Sequence, residues 1–169
     1  ALSLSAALLG RERGLDLKVV APVASYKDGV GSPNGLYVRK DSGITTIKGL
    51  KGKQIGISSY GSSLDMETRS ILLANGMDPK KDVQLLEIGV VKGLRAFMAK
   101  RLDSYYFPAS FVPALKNQQL QLAHMFDIKE YKGQMVLNTP VVMRQKFLNE
   151  NRETALTWAT QYLKALRVI

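Results

Sequence analysis

Leu50-Lys-Gly-Lys-Gln-Ile-Gly-Ile-Ser-Ser-Tyr-Gly-Ser-Ser-Leu-Asp65 is the stretch whose reading decides the fold of this chain. Residues 53–58 read as a short buried strand around Ile55 and Ile57, Ser58 to Ser63 as a Gly/Ser loop, and Ser62 as the start of a helix. Such a junction offers backbone N–H groups and hydroxyls at the positive end of a helix. That suits an anion or another polar ligand. No residue in the stretch pairs a nucleophile with a base, so the reading favours holding a small molecule over transforming one.

Outward from this junction, strands and helices alternate. Leu17 to Val23, Gly35 to Lys40, Val83 to Ile88, Ser104 to Phe107 and Leu120 to Phe126 are expected as strands, and Gln134 to Val142 as extended chain. Ser62 and Asp65 have the spacing of a capping box, with Asp for the usual Glu. Leu64, Thr68, Ile71 and Leu72 then recur at helical spacing until Asn75-Gly76 stops the helix. Val91, Leu94, Phe97, Met98 and Leu102 are expected on one face of the next helix, and Ala155, Trp158, Ala159, Tyr162 and Leu166 on the inward face of the last. The alternation predicts an α/β class with a mostly parallel sheet. Ligands of such sheets bind beyond the carboxyl ends of the strands.

Composition narrows the function. An apolar fraction of 46% and a charged fraction of 22% are those of a globular domain, and no apolar run reaches membrane-spanning length. There is no cysteine, which excludes a thiolate nucleophile, a disulfide framework and Cys-ligated metals; His124 is the sole histidine. No metal site and no cofactor are expected. The net charge of +10 is spread over the chain, without a nucleic-acid motif or a basic helix stripe, so a solvated basic surface explains it and no nucleic-acid partner is expected. Both ends read as cut: 1–9 runs as a helix already in progress that finishes at Gly14, and the last helix lacks a stop signal. Residues 1–9 do not read as a signal peptide, because they lack a basic start and a small-residue cleavage site.

Several segments in order carry a resemblance. Val38-Arg-Lys-Asp-Ser-Gly-Ile44, Leu50 to Ile57, Gly61-Ser-Ser63, Gly76-Met-Asp-Pro-Lys-Lys-Asp-Val83 and Lys146-Phe-Leu-Asn-Glu-Asn-Arg-Glu-Thr154 resemble the substrate-binding proteins of nitrate, taurine and aliphatic-sulfonate ABC transporters. Ala99 to Asp103 is similar to that family's "small residue, Gly, x, Asp, Ala" turn, with Lys100 and Arg101 replacing the small residue and Gly, and Ser104 replacing Ala.

The resemblance implies the periplasmic-binding-protein type II fold: two α/β lobes joined by two crossing strands, with ligand between them. On that pattern residues 1–34 would be a remnant of the first lobe, 35–40 the first hinge crossing and 41–132 the complete second lobe. Residues 133–143 would be the second crossing, and 144–169 the return to a truncated first lobe. It further implies a monomer that delivers a small anion to an ABC transporter permease. Its location would be periplasmic or lipid-anchored at the outer face of the cytoplasmic membrane. A neutral heterocycle, such as a thiamine pyrimidine precursor or riboflavin, is the alternative ligand, and a ligand-sensing regulatory domain the alternative role. An enzyme is third, since the related pyrimidine synthesis uses His and Cys residues and this chain has one His and no Cys.

The candidate ligand residues are Ser58, Ser59, Tyr60, Gly61, Ser62 and Ser63 at the strand end. Ser3 and Ser5 on the first helix, Phe107 and Pro108 at a second strand end, and Asn138 in the second crossing complete the set.

Overall fold

The computed structural model describes residues 3–26, 34–115, 118–124, 127–128 and 136–166. The chain divides into two compact units. Unit 1 comprises Ala1–Ser25 and Leu137–Ile169, and unit 2 is Tyr26–Val136.

In unit 1, Ser3 caps helix α1 (Leu4–Glu12), and Gly14 turns the chain out at φ +86°. Strand β1 (Leu17–Tyr26) pairs with β7 (Val136–Arg144) in a two-stranded sheet. Two helices follow, α5 (Gln145–Glu150) and α6 (Arg152–Leu166). On α6 the side chains of Ala155, Trp158, Ala159 and Tyr162 are half-buried while their neighbours face solvent; the side chain of Leu166 lies outside the described residues. Trp158 stacks on Tyr162 at 5.0 Å, and the Tyr162 hydroxyl donates to the Pro22 carbonyl.

Unit 2 holds a five-stranded sheet of order β4-β3-β5-β2-β6. The strands are β2 (Gly35–Arg39), β3 (Gln54–Ile57), β4 (Gln84–Glu87), β5 (Ser104–Phe107) and β6 (Gln119–Ala123). β3 is parallel to both β4 and β5, whereas β2 runs antiparallel to β5 and β6. One strand therefore opposes the other four. The cause is the 40–53 connection, which contains only two 3-10 turns and no crossover helix. The segment 35–40, expected as the first hinge crossing, begins with the inner strand β2, paired on both sides, and the division between the compact units falls between Ser25 and Tyr26.

Strand alternation sorts the core into two faces. Leu36, Val38 and Tyr106 point toward helix α2 (Ser63–Ala74) and its Ile71 and Leu72. Tyr37, Tyr105 and Phe107 point the other way, onto Phe97 of helix α3 (Val90–Met98) and Leu115 of the short α4 (Val112–Leu115). The α3 face differs from the expected one, since Val91 and Met98 are exposed. Gly93 is buried there instead: a Cβ at that position would lie 2.1 Å from the Tyr105 ring, so the helix can approach only where a side chain is missing.

Helices α2 and α3 end in the same geometry. After α2, the Gly76 N–H donates to the Leu73 carbonyl (2.9 Å) and Met77 N–H to Leu72 (2.9 Å). After α3, the Lys100 N–H donates to Phe97 (3.1 Å) and Arg101 N–H to Ala96 (2.9 Å). Both are Schellman motifs, which require a left-handed residue. Gly76 supplies it at φ +74° and Lys100 at φ +61°. The family-like turn thus places its glycine-type conformation at Lys100, not at Arg101.

Candidate functional site

The carboxyl end of β3 leads directly into the serine loop. Ser62 is the N-cap of α2: its Oγ accepts from the Asp65 N–H (3.2 Å) and donates to the Ser59 carbonyl (2.7 Å). A hydroxyl has one proton, so in the 3.1 Å contact between Ser58 Oγ and Ser62 Oγ it is Ser58 that donates. The Ser62 hydroxyl is thereby saturated. Ser62 holds the loop, and its oxygen is not available to a ligand without loss of the cap.

Two carboxylates hold the loop's outer N–H groups. The Gly61 N–H donates to Asp65 Oδ2 (2.8 Å), so Asp65 reaches back one residue further than the capping box requires. The other Asp65 oxygen pairs with Arg69 Nε at 2.7 Å, and Asp65 is buried. The Tyr60 N–H donates to Glu87 Oε2 at the end of β4 (2.9 Å). The Tyr60 hydroxyl donates to the Leu85 carbonyl (2.8 Å), and the Arg69 guanidinium lies 6.0 Å from the Tyr60 ring centre. Tyr60 therefore lies back along the edge strand, and the N–H groups of Tyr60 and Gly61 are occupied by the chain's own acids.

Ser59 and Ser63 remain. Their hydroxyls make no hydrogen bond among the described residues, Ser59 is exposed and Ser63 half-buried. The N–H groups of Ser63 and Leu64 stand at the first turn of α2, where no helical carbonyl reaches them. These four donors at one strand end can hold the oxygen atoms of a small solute. The charged groups of the loop are Asp65, Glu87 and Arg69, two negative against one positive.

The other expected residues fall elsewhere. Phe107 is wholly buried, stacked on Tyr105 at 4.6 Å and edge-on to Phe97 at 5.3 Å, so the core claims it and it presents no ring to a ligand. Pro108 opens a 3-10 turn over 109–111, and Asn34 Oδ1 accepts from the Ala109 N–H (2.6 Å). Ser3 and Ser5 lie in unit 1, where Ser3 Oγ caps α1 through Ala6 N–H (3.2 Å) and sits 3.1 Å from Ser5 Oγ. Asn138 lies in β7 with its side chain outside the described residues.

Sequence reasoning missed Glu67. Its carboxyl is buried on the sheet-facing side of α2 and accepts from the Tyr106 hydroxyl at 2.5 Å. Burial pushes its pKa up to about 7, with the Tyr106 hydrogen bond opposing. Asn34 and Glu87 were missed as well. The Asp65–Arg69 spacing of four was visible in the sequence, but nothing local marks Glu67 or Glu87 as partners of residues far along the chain. Among the described residues no group of three His, Asp or Glu side chains could hold a metal, and no helix is long and apolar enough to cross a membrane.

A mixed sheet covered on both faces, with a helix start at the carboxyl end of β3, makes unit 2 an α/β unit, and the chain shares the periplasmic-binding-protein type II fold of the solved structures it matches. The NMT1/THI5-like family model matches residues 3–167, and the chain belongs to that family. Solved structures share the fold. The alkanesulfonate-binding protein SsuA from Xanthomonas axonopodis pv. citri, bound to MOPS, is 19% identical with a TM-score of 0.66, over 96% of this chain and 55% of that one. The periplasmic aliphatic sulphonate binding protein SsuA from Escherichia coli is 17% identical with a TM-score of 0.68, over 98% and 56%. The holo form of ArgBP from T. maritima is more distant, at 12% identity and a TM-score of 0.57, over 98% and 61%. The chain thus spans about half the length of the sulfonate-binding structures it matches. No curated protein sequence matches it.

Proposed function

We propose that this chain is part of a solute-binding protein of an ABC importer, and that the serine loop contacts the solute, a small sulfonate-like anion. The observation that carries this reading is the set of uncommitted donors on Ser59, Ser63 and the first turn of α2, at the carboxyl end of a sheet strand. The likeness of the fold to two sulfonate-binding proteins supports the same ligand class. A permease partner, a monomeric state, a periplasmic or lipid-anchored location and a role other than catalysis go with this reading. The expected lobes, with ligand held between them, belong to it too.

A second reading has its own support. Asp65 and Glu87 already occupy two loop N–H groups and outnumber Arg69. That balance favours a neutral or zwitterionic solute over a simple monoanion.

A thermal-shift panel on the intact protein separates the two. It includes taurine, alkanesulfonates, nitrate, bicarbonate, and neutral pyrimidines and flavins. A ligand at a hundredfold its Kd stabilises by about 2.7 kcal/mol. A shift with alkanesulfonates or nitrate supports the first reading, and a shift with taurine alone or with heterocycles alone the second. Replacing Ser59 and Ser63 together by Ala is expected to weaken binding about tenfold with Tm unchanged, as two solvated hydroxyls are lost from the ligand but none from the fold. Unaltered affinity removes these side chains from the site.

A further inference from the structure

The end of the unit 2 sheet opposite the serine loop carries a basic recess. Val38 pairs with Ser104, the first residue of β5, so Arg39 and the turn before β5 lie at the amino ends of the parallel strands. There Arg39, Lys40, Asp41, Met98, Lys100 and Gln118 line a recess of about 360 Å³. Arg39 is fixed: its Nη1 donates to the carbonyls of Phe97 (3.0 Å) and Leu102 (2.7 Å), and its Nε faces Asp41 Oδ1 at 3.3 Å. That Nε is buried and makes no well-aligned hydrogen bond. Lys100 Nζ meets the other Asp41 oxygen at 2.5 Å. Arg39 and Lys100 thus flank one carboxylate and hold it ionised, with the Lys100 hydrogen bond the first cause, while Lys40 lines the same recess.

Lys100 occupies the left-handed position that Gly76 fills after α2. A lysine there is conformationally disfavoured. Its pair with Asp41 is solvent-exposed on both sides, so it returns little stability and does not account for the residue. The ammonium group is placed at the recess at the expense of the backbone.

We propose that this recess is a second anion site, which takes a phosphate group through Arg39, Lys40 and Lys100. Two uncompensated positive charges match a dianion, and guanidinium and ammonium donors match its oxygens. The recess has room for one such group, supplied by free phosphate or by a lipid headgroup. The proposal does not depend on the serine loop or on the solute read for it.

The test uses the intact protein at low, fixed ionic strength, with chloride as the control anion. Inorganic phosphate is titrated by calorimetry, and phosphatidylcholine vesicles with and without phosphatidic acid are tested by co-sedimentation. Wild type is expected to bind phosphate, or the phosphatidic acid vesicles alone if the headgroup is the source. Lys100→Gly is expected to weaken that binding about tenfold or more while raising Tm without phosphate. The Ser59→Ala/Ser63→Ala variant is expected to bind phosphate as wild type does. Three results overturn the proposal: wild type binding neither probe, Lys100→Gly binding both like wild type, or Lys100→Gly lowering the phosphate-free Tm, which would make Lys100 a structural tether.

Discussion

Helices α2 and α3 flank one sheet and close with one motif, yet they are secured differently. α2 is fixed at its ends and carries polar groups within: Ser62 caps it, Gly76 ends it, and Glu67 and Thr68 are buried along its length. α3 starts at Gly89 with no side-chain cap, ends on a strained lysine, and is held by its apolar face, with Gly93 against Tyr105 and Phe97 in the aromatic cluster. A helix with good termini can tolerate a buried acid; a helix with poor termini must pack well. The end free to be suboptimal is then the end where an otherwise disfavoured side chain can be kept.

This contrast can be broken at several points. Phe97→Ala should be the most damaging change, since it empties the face on which α3 depends. We expect a loss of about 3–5 kcal/mol in urea unfolding of the intact protein followed by far-ultraviolet circular dichroism.

Next comes pH, which acts on α2. The Glu67 pKa is raised in the folded state to about 7 from 4.5. Between those values the folded state binds a proton that the unfolded state has released, so stability falls as pH rises through this window and levels off above about 7. The full swing is roughly 3 kcal/mol. Glu67→Gln should flatten it, and a persisting slope would mean that another group titrates.

Ser62→Ala should cost about 1 kcal/mol by loss of the cap, more if the Ser58 contact fails with it. The smallest pair of effects is opposite in sign. Lys100→Gly should add, and Gly76→Lys remove, about 1 kcal/mol, because each exchanges glycine and a side chain at the same left-handed position. Equal signs in the two variants would show that backbone conformation is not what distinguishes these helix ends.

How much of this was legible depended on range. Ser62, Asp65 and Asn75-Gly76 mark the ends of α2 within a few residues, and both ends lie where the sequence puts them. The buried face of α3 was misread because its closest approach is made by Gly93, and a pattern of large apolar side chains does not register a glycine. Val91 and Met98 looked inward for that reason alone. The hinge crossing expected at residues 35–40 came from the resemblance alone, and nothing in Gly35 to Arg39 shows that Tyr105 and Gln121 lie on either side of Tyr37. In the candidate site the serines were visible as a group. Their division into saturated and available hydroxyls was not, because it turns on single protons and on Glu87, twenty-seven residues beyond Tyr60.

The pairing of β1 with β7 has a consequence for handling the molecule. Unit 2 is entered from β1 and left into β7, so both of its ends open onto neighbouring strands that lie about 5 Å apart. A peptide of a few residues spans that gap at small entropic cost. A chain of residues 26–136 closed through such a peptide is expected to keep the five-stranded sheet, which far-ultraviolet circular dichroism of that ring would check.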